Sequence, residues 1–144
     1  MSFDTAGDRI LEPLRANKTS NTLFGIASTI GDFSIIWHIT GLLYAIGSMH
    51  RLHQAIALSI ALGAESIIVN QGVKRIFRRE RPTVSGDDRF DVRTPSTSSF
   101  PSGHASSATV AAIILIWMTG FPLAILWIIM AGVVALSRVV VRIH

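Results

Sequence analysis

The sequence predicts an all-α polytopic membrane bundle of about four spanning helices, preceded by an amphipathic segment. Three observations carry that reading. Apolar residues make up 49% of the 144-residue chain and charged residues only 15%. Mean hydropathy is positive, which is unusual for a water-soluble chain of this size. The charges are also segregated, with none in residues 33–49 or 105–136, and such stretches approach the roughly 20 residues a helix needs to cross a bilayer.

Composition also sets limits. The length suits one domain, residues 1–144. With no cysteine there is neither a disulfide framework nor a thiolate metal site. The start, Met1-Ser2-Phe3-Asp4-Thr5, lacks the basic and apolar regions of a cleavable signal peptide. A net charge of +4 could suit nucleic acid, but five of the thirteen Lys and Arg fall in residues 74–81, at the end of an apolar segment. Phe77 is the sole aromatic interleaved there, so a phosphate site or an anionic lipid surface explains the charge better, and no nucleic-acid partner is expected.

The elements follow in chain order. Residues 2–16 set Phe3, Ile10, Leu11 and Leu14 on one helical face, an interfacial amphipathic segment with Pro13 inside it. Lys18-Thr19-Ser20-Asn21 reads as a loop. A first spanning helix covers about 33–49, with 22–31 also mostly apolar, and His50-Arg51-Leu52-His53 turns the chain back. A second helix runs from about 54 to 77, roughly 36 Å at 1.5 Å per residue. Residues 83–100, rich in Ser, Thr, Asp, Arg and Pro, form a polar loop. A third helix begins near Ser102 and runs to about 119, Gly120-Phe121-Pro122 turns, and a fourth runs to about 138. Ala105, Ser106, Ser107, Ala108, Ala111 and Ala112 give the third helix a small-residue face for close packing. Counting crossings, the tail and the polar loop fall on one side of the membrane.

Three polar blocks end apolar segments on that same side. The first is Lys74-Arg75-Ile76-Phe77-Arg78-Arg79-Glu80-Arg81-Pro82, the second Pro101-Ser102-Gly103-His104, and the third Ser137-Arg138 with His144 six residues beyond Arg138. Lys74 and Arg81 lie seven residues apart, so a helix continuing to Pro82 would project both along one face. Arg offers a planar fork for two phosphate oxygens and Lys a compact charge. Arg75, Arg78 and Arg79 read instead as anchors at a helix end. Ser102-Gly103 opens a helix whose free N–H groups suit an anion, and Ser102 is either a plain N-cap or a phosphate ligand as well.

The pattern Lys-x6-Arg-Pro, Pro-Ser-Gly-His and Ser-Arg-x5-His resembles the type 2 phosphatidic acid phosphatase superfamily, which also contains vanadium haloperoxidases. The resemblance covers residues 74–144 by motif. It implies His144 as nucleophile forming a phosphohistidine, His104 as general acid toward the leaving alcohol, and Lys74, Arg81, Ser102, Gly103 and Arg138 as phosphate ligands. The implied activity is hydrolysis of a lipid phosphate or diphosphate, phosphatidate-type or polyprenyl, with no cofactor and no metal. Partners are then the lipid substrate and the bilayer. A vanadate-dependent haloperoxidase-like enzyme, or an inactive membrane protein that only binds phosphate, are the alternatives.

The family places an aspartate four residues after its nucleophilic histidine and adds further helices. The chain is therefore expected to be a truncated piece of a longer protein, binding phosphate weakly through Lys74, Arg81 and Ser102–Gly103, with an exposed apolar groove on its third or fourth helix where the missing helices belong. Twelve of the thirteen Lys and Arg, all but Arg51, lie on the site side, which by the positive-inside rule favours the cytoplasm. Phosphate binding accounts for many of those charges, and bacterial members of the resembled family imply a plasma-membrane site facing outside. Within the membrane, His38 and Glu65 each lie about thirteen residues from the 50–53 link, so a hairpin would set them level and in contact.

Overall fold

The computed structural model describes residues 3–77 and 100–140, and all regular structure among them is helical. In chain order the elements are α1 (Phe3–Ala16), α2 (Lys18–Ile30), α3 (Ile35–Ala45), α4 (Met49–Ile76), α5 (Gly103–Thr119) and α6 (Leu123–Val140). On length and composition, α4 and α6 can each cross a membrane, and α2 with α3 makes a third candidate if the bent pair is one span. At 17 residues α5 is a shorter apolar helix. The all-helical architecture thus holds among the described residues, with two or three candidate membrane spans by length and composition where the sequence suggested about four.

Local chemistry explains the boundaries. The expected loop at 18–21 is the first turn of α2, because Asn17 caps it: its Oδ1 accepts from the Thr19 N–H at 2.9 Å and the Ser20 N–H at 3.3 Å. The first spanning helix is not continuous. Gly31 ends α2, a single 3-10 turn spans Asp32–Ser34, and Ser34 adopts a left-handed conformation (φ 61°) before α3 begins. Gly, Asp and Ser are weak helix formers because they compete for backbone partners or keep excess freedom, and the chain bends by 71° there.

The next turn lies at Ile46–Ser48, where Gly47 (φ 79°) takes a conformation open to glycine, and the Ser48 hydroxyl accepts from the Arg51 N–H. The link expected at 50–53 is therefore already helix. This shifts the hairpin register, and the anticipated His38–Glu65 contact is not made. His38 Nδ1 instead lies 2.9 Å from Ser59 Oγ, and Gly41 packs against Leu58 and Ala55. Glu65 Oε1 is buried with no hydrogen-bond partner among the described residues.

Helix α4 contains a π-helical turn over Ile68–Val73 and stops at Ile76; Phe77 leaves the helical region (φ −100°, ψ 87°). The uninterrupted helix expected to carry both Lys74 and Arg81 is therefore not formed. By contrast Ser102 caps α5 as anticipated, and Gly120 (φ 68°) ends it at the expected turn.

Helix α5 packs between α4 and α6. Ala108 and Ala111 are fully buried and Ala112 nearly so, the small side chains letting neighbouring backbones approach. Trp37, Leu58, Leu62, Leu115, Trp127 and Val134 fill the core around them. The outward faces of α5 and α6, with Ile113, Trp117, Ile128 and Ile129 exposed, are apolar as a lipid-facing surface requires.

The amphipathic tail is a helix, as expected, but one charge on it is wholly buried. Arg15 donates from Nε to the Val140 carbonyl (2.8 Å) and from Nη2 to the Val139 carbonyl (2.9 Å). Carbonyls in the last turn of a helix lack partners along the chain, and a cation there also suits the helix dipole. This contact fixes α1 beside the end of α6. Arg15→Ala should lower stability by about 1–3 kcal/mol, read as an earlier unfolding midpoint in detergent. Arg15→Lys should recover only part, lacking the planar fork. An unchanged midpoint in the alanine variant would contradict this role.

Candidate active site

The break between α2 and α3 meets the first turn of α5 and the last turn of α6, and there two of the three polar blocks converge. Ser102 Oγ accepts from the Ala105 N–H at 3.4 Å, so the plain capping role is observed. Gly103 and His104 follow within the first turn, whose N–H groups have no intrahelical acceptor.

The His104 side chain reaches the break between α2 and α3. Its Nε2 lies 2.9 Å from Asp32 Oδ1 and 3.2 Å from the Ser28 carbonyl. Both neighbours are acceptors, so the hydrogen-bond pattern assigns a proton to Nε2. The ring fits because residue 31 is glycine: a Cβ there would stand 2.9 Å from His104 Cδ2 and 3.2 Å from Val134 Cγ1.

Arg138 enters from α6. It is 3% exposed and donates from Nη1 to the hydroxyl of Ser28, itself 1% exposed. Ser28 thus joins two blocks, its carbonyl facing His104 and its hydroxyl facing Arg138. A buried guanidinium is costly unless it finds such partners. Ser137 turns away, its hydroxyl donating to the Val134 carbonyl of its own helix at 2.7 Å.

The first block is drawn to the same end of the bundle. Phe77, just past α4, meets Phe100, just before Pro101, edge to face with ring centroids 5.5 Å apart. Lys74 is half-buried in the last turn of α4, and Arg75 is exposed, as an anchor should be. Arg81, Arg78, Arg79 and His144 lie outside the described residues.

Sequence reasoning missed Ser28, Gly31 and Asp32. A signal was present: Asp32 is the sole acidic residue between Glu12 and Glu65, and it follows a glycine inside an apolar stretch. A carboxylate beside a helix breaker in such surroundings calls for a partner.

The family model described as the PAP2 superfamily matches residues 52–144, which contain all three polar blocks. The chain belongs to that superfamily. Among curated proteins, the decaprenylphosphoryl-5-phosphoribose phosphatase of Mycolicibacterium smegmatis is 41% identical over 88 residues, covering 59% of this chain and 47% of the relative. The protein of the same description from Mycobacterium tuberculosis is 37% identical over 118 residues, covering 81% of this chain and 63% of the relative. The chain thus spans between 47% and 63% of the length of these relatives. No solved structure matches it. Ser28, Gly31 and Asp32 precede the region that the PAP2 model matches.

The close approach at Gly31 gives a direct check. Gly31→Ala should destabilise the protein by about 1–3 kcal/mol through overpacking against the His104 ring and Val134. Gly25→Ala in the same helix has nothing within 4 Å of the added carbon and should stabilise by about 0.5–1 kcal/mol. Unfolding midpoints in detergent compare the two, and equal effects would contradict the packing at residue 31.

Proposed function

We propose that this PAP2 protein is a membrane phosphatase that hydrolyses a lipid-linked phosphate monoester, with a polyprenyl-linked sugar phosphate as the favoured substrate class. The observation that carries this reading is the meeting of His104 and Arg138, from blocks 34 residues apart in sequence, at one buried polar point in an apolar bundle. The substrate class follows from the printed descriptions of the two relatives. Phosphatidate remains the other lipid phosphate the family resemblance implies. The helices long and apolar enough to cross a bilayer favour a lipid phosphatase over a haloperoxidase-like enzyme.

In this reading residues 1–144 form one domain with four crossings, the bent α2–α3 pair, α4, α5 and α6. The Arg15–Val140 and Phe77–Phe100 contacts support a common face for the tail and the three blocks. Lys74, Arg81 and Arg138 bind the phosphate oxygens, with the Ser102 hydroxyl and the first-turn N–H groups at Gly103 completing the cradle. A nitrogen of His144 attacks phosphorus, forming a P–N bond as the P–O bond to the leaving alcohol breaks. His104 gives that alcohol a proton. Water then attacks the phosphohistidine with His104 as base, releasing phosphate and restoring both rings. The cations carry the charge that builds on the transferring group, so the reaction is expected to need no added metal. The site faces outside the cytoplasm.

The natural full-length protein in detergent, given a polyprenyl-linked phosphate, should release phosphate in excess chelator. Arg138→Ala should cut turnover by about 10²- to 10³-fold, the scale of losing one fixed donor to the transition state. Intact cells should hydrolyse a membrane-impermeant phosphate ester if the site faces outward. Loss of activity in chelator, restored by magnesium, would overturn the metal-free reading. Phosphate binding without turnover would favour a binding protein.

A further inference from the structure

Asp32 stands outside the matched family region and outside every block read from the sequence, yet its carboxylate is the group nearest Nε2 of His104. We propose that Asp32 is a positioning residue that holds His104 by Nε2–H, so that the proton delivered to the leaving alcohol comes from Nδ1. The proposal rests on the reading of His104 as general acid.

The geometry leaves one nitrogen for chemistry. Nε2 is held between Asp32 Oδ1 and the Ser28 carbonyl, and the adjoining Cδ2 edge lies over Gly31. Nδ1 sits on the other side of the ring, with no hydrogen bond among the described residues. The side chain keeps 14% of its surface exposed. Asp32 opens the 3-10 turn that ends at the left-handed Ser34, and from that turn its carboxylate meets His104 on α5. Backbone outliers of this kind persist where surrounding structure enforces them.

Charge gives Asp32 a second task. The charged groups facing the ring among the described residues are Arg138 on α6 and Asp32 on the break. Burial of the ring disfavours a positive imidazolium most, and Arg138 opposes it as any nearby cation must, while the Asp32 carboxylate favours it. The acid form of His104 must exist beside the phosphate-binding cation, and Asp32 counters part of that repulsion. As the P–O bond breaks, its electron pair stays on the alcohol oxygen, which takes the Nδ1 proton. His104 is left neutral with its proton still on Nε2 toward the Asp32 carboxylate. The same ring then accepts a proton at Nδ1 from the attacking water. This arrangement resembles a buried aspartate fixing a catalytic imidazole in acyl transfer, here at the acid and not at the nucleophile.

A leaving-group comparison separates this role from a structural one. The full-length protein, with His104→Ala, Asp32→Asn, Asp32→Ala and Asp32→Glu variants, is assayed on an isoprenyl phosphate and on 4-nitrophenyl phosphate. The nitrophenolate leaves without a proton, and kcat/KM reports only steps through alcohol release. The ratio of the two values from one preparation is independent of the folded fraction. Asp32→Asn should lower kcat/KM for the isoprenyl ester by about 10- to 100-fold, the usual scale for losing a group that orients a functional histidine. The loss on the aryl ester should stay below about 3-fold, because the step that Asp32 serves is not needed there. Asp32→Ala should behave likewise, Asp32→Glu should recover part of the loss, and the basic limb of the Asp32→Asn pH profile should move to lower pH. Equal losses on both esters in Asp32→Asn, with a selective loss in His104→Ala, would overturn the role of Asp32 alone. Equal losses in His104→Ala would instead overturn the reading of His104 as the acid.

Discussion

A guanidinium buried near the end of an apolar helix is the constraint on which the rest of this structure depends. Arg138 is almost wholly shielded from water, and Ser28 receives one of its N–H groups, which offsets part of the cost of that burial. Ser28 can do so only if α2 lies against α6. It offers its carbonyl to His104 only because the chain breaks immediately afterwards at Gly31. The break is therefore part of the site: it brings a hydroxyl, a carbonyl and a carboxylate to a place that straight helices would have lined with Ile and Val.

The same logic joins the tail to the core. The Val139 and Val140 carbonyls beyond Arg138 are taken by Arg15 from α1. A second buried arginine thus anchors the last turn of the helix that positions the first. Around both, α5 supplies Ala where closeness is needed and Leu115 where volume is needed, so the helices that bear the polar blocks are held at short range. Packing and chemistry are coupled here, since a shift of α6 would move Arg138 and both carbonyls together.

Much of this was legible in the sequence because the signals are local. Segregated charge marked the apolar helices, Ser102 and Gly120 marked the two ends of α5, and the order of the three blocks marked the family. Where the reading failed, the deciding interaction was long-range or a weaker cue had been passed over. The turn was assigned to the charged residues 50–53, although Gly47-Ser48 carried the proper turn and cap chemistry, and a shift of a few residues was enough to part His38 from Glu65. The helix was extended from Lys74 to Arg81 on spacing alone, yet the chain leaves the helix at Phe77, which packs on Phe100. Arg15 and Asp32 were given no role in the sequence reading, because their partners lie more than 70 residues away along the chain.

The central claim is that these blocks form one phosphoryl-transfer site in which His144 takes the phosphoryl group and His104 manages the protons. Rapid quenching of the full-length protein with a phosphorus-labelled aryl phosphate tests it most directly. In the His104→Ala protein the first step needs no acid but the second lacks its base, so label should build up on the protein, stable to alkali, labile to acid and mapping to His144. It should be absent when His144 is also replaced. Label of the opposite stability, label on another residue, or none in the presence of continued turnover would contradict the account.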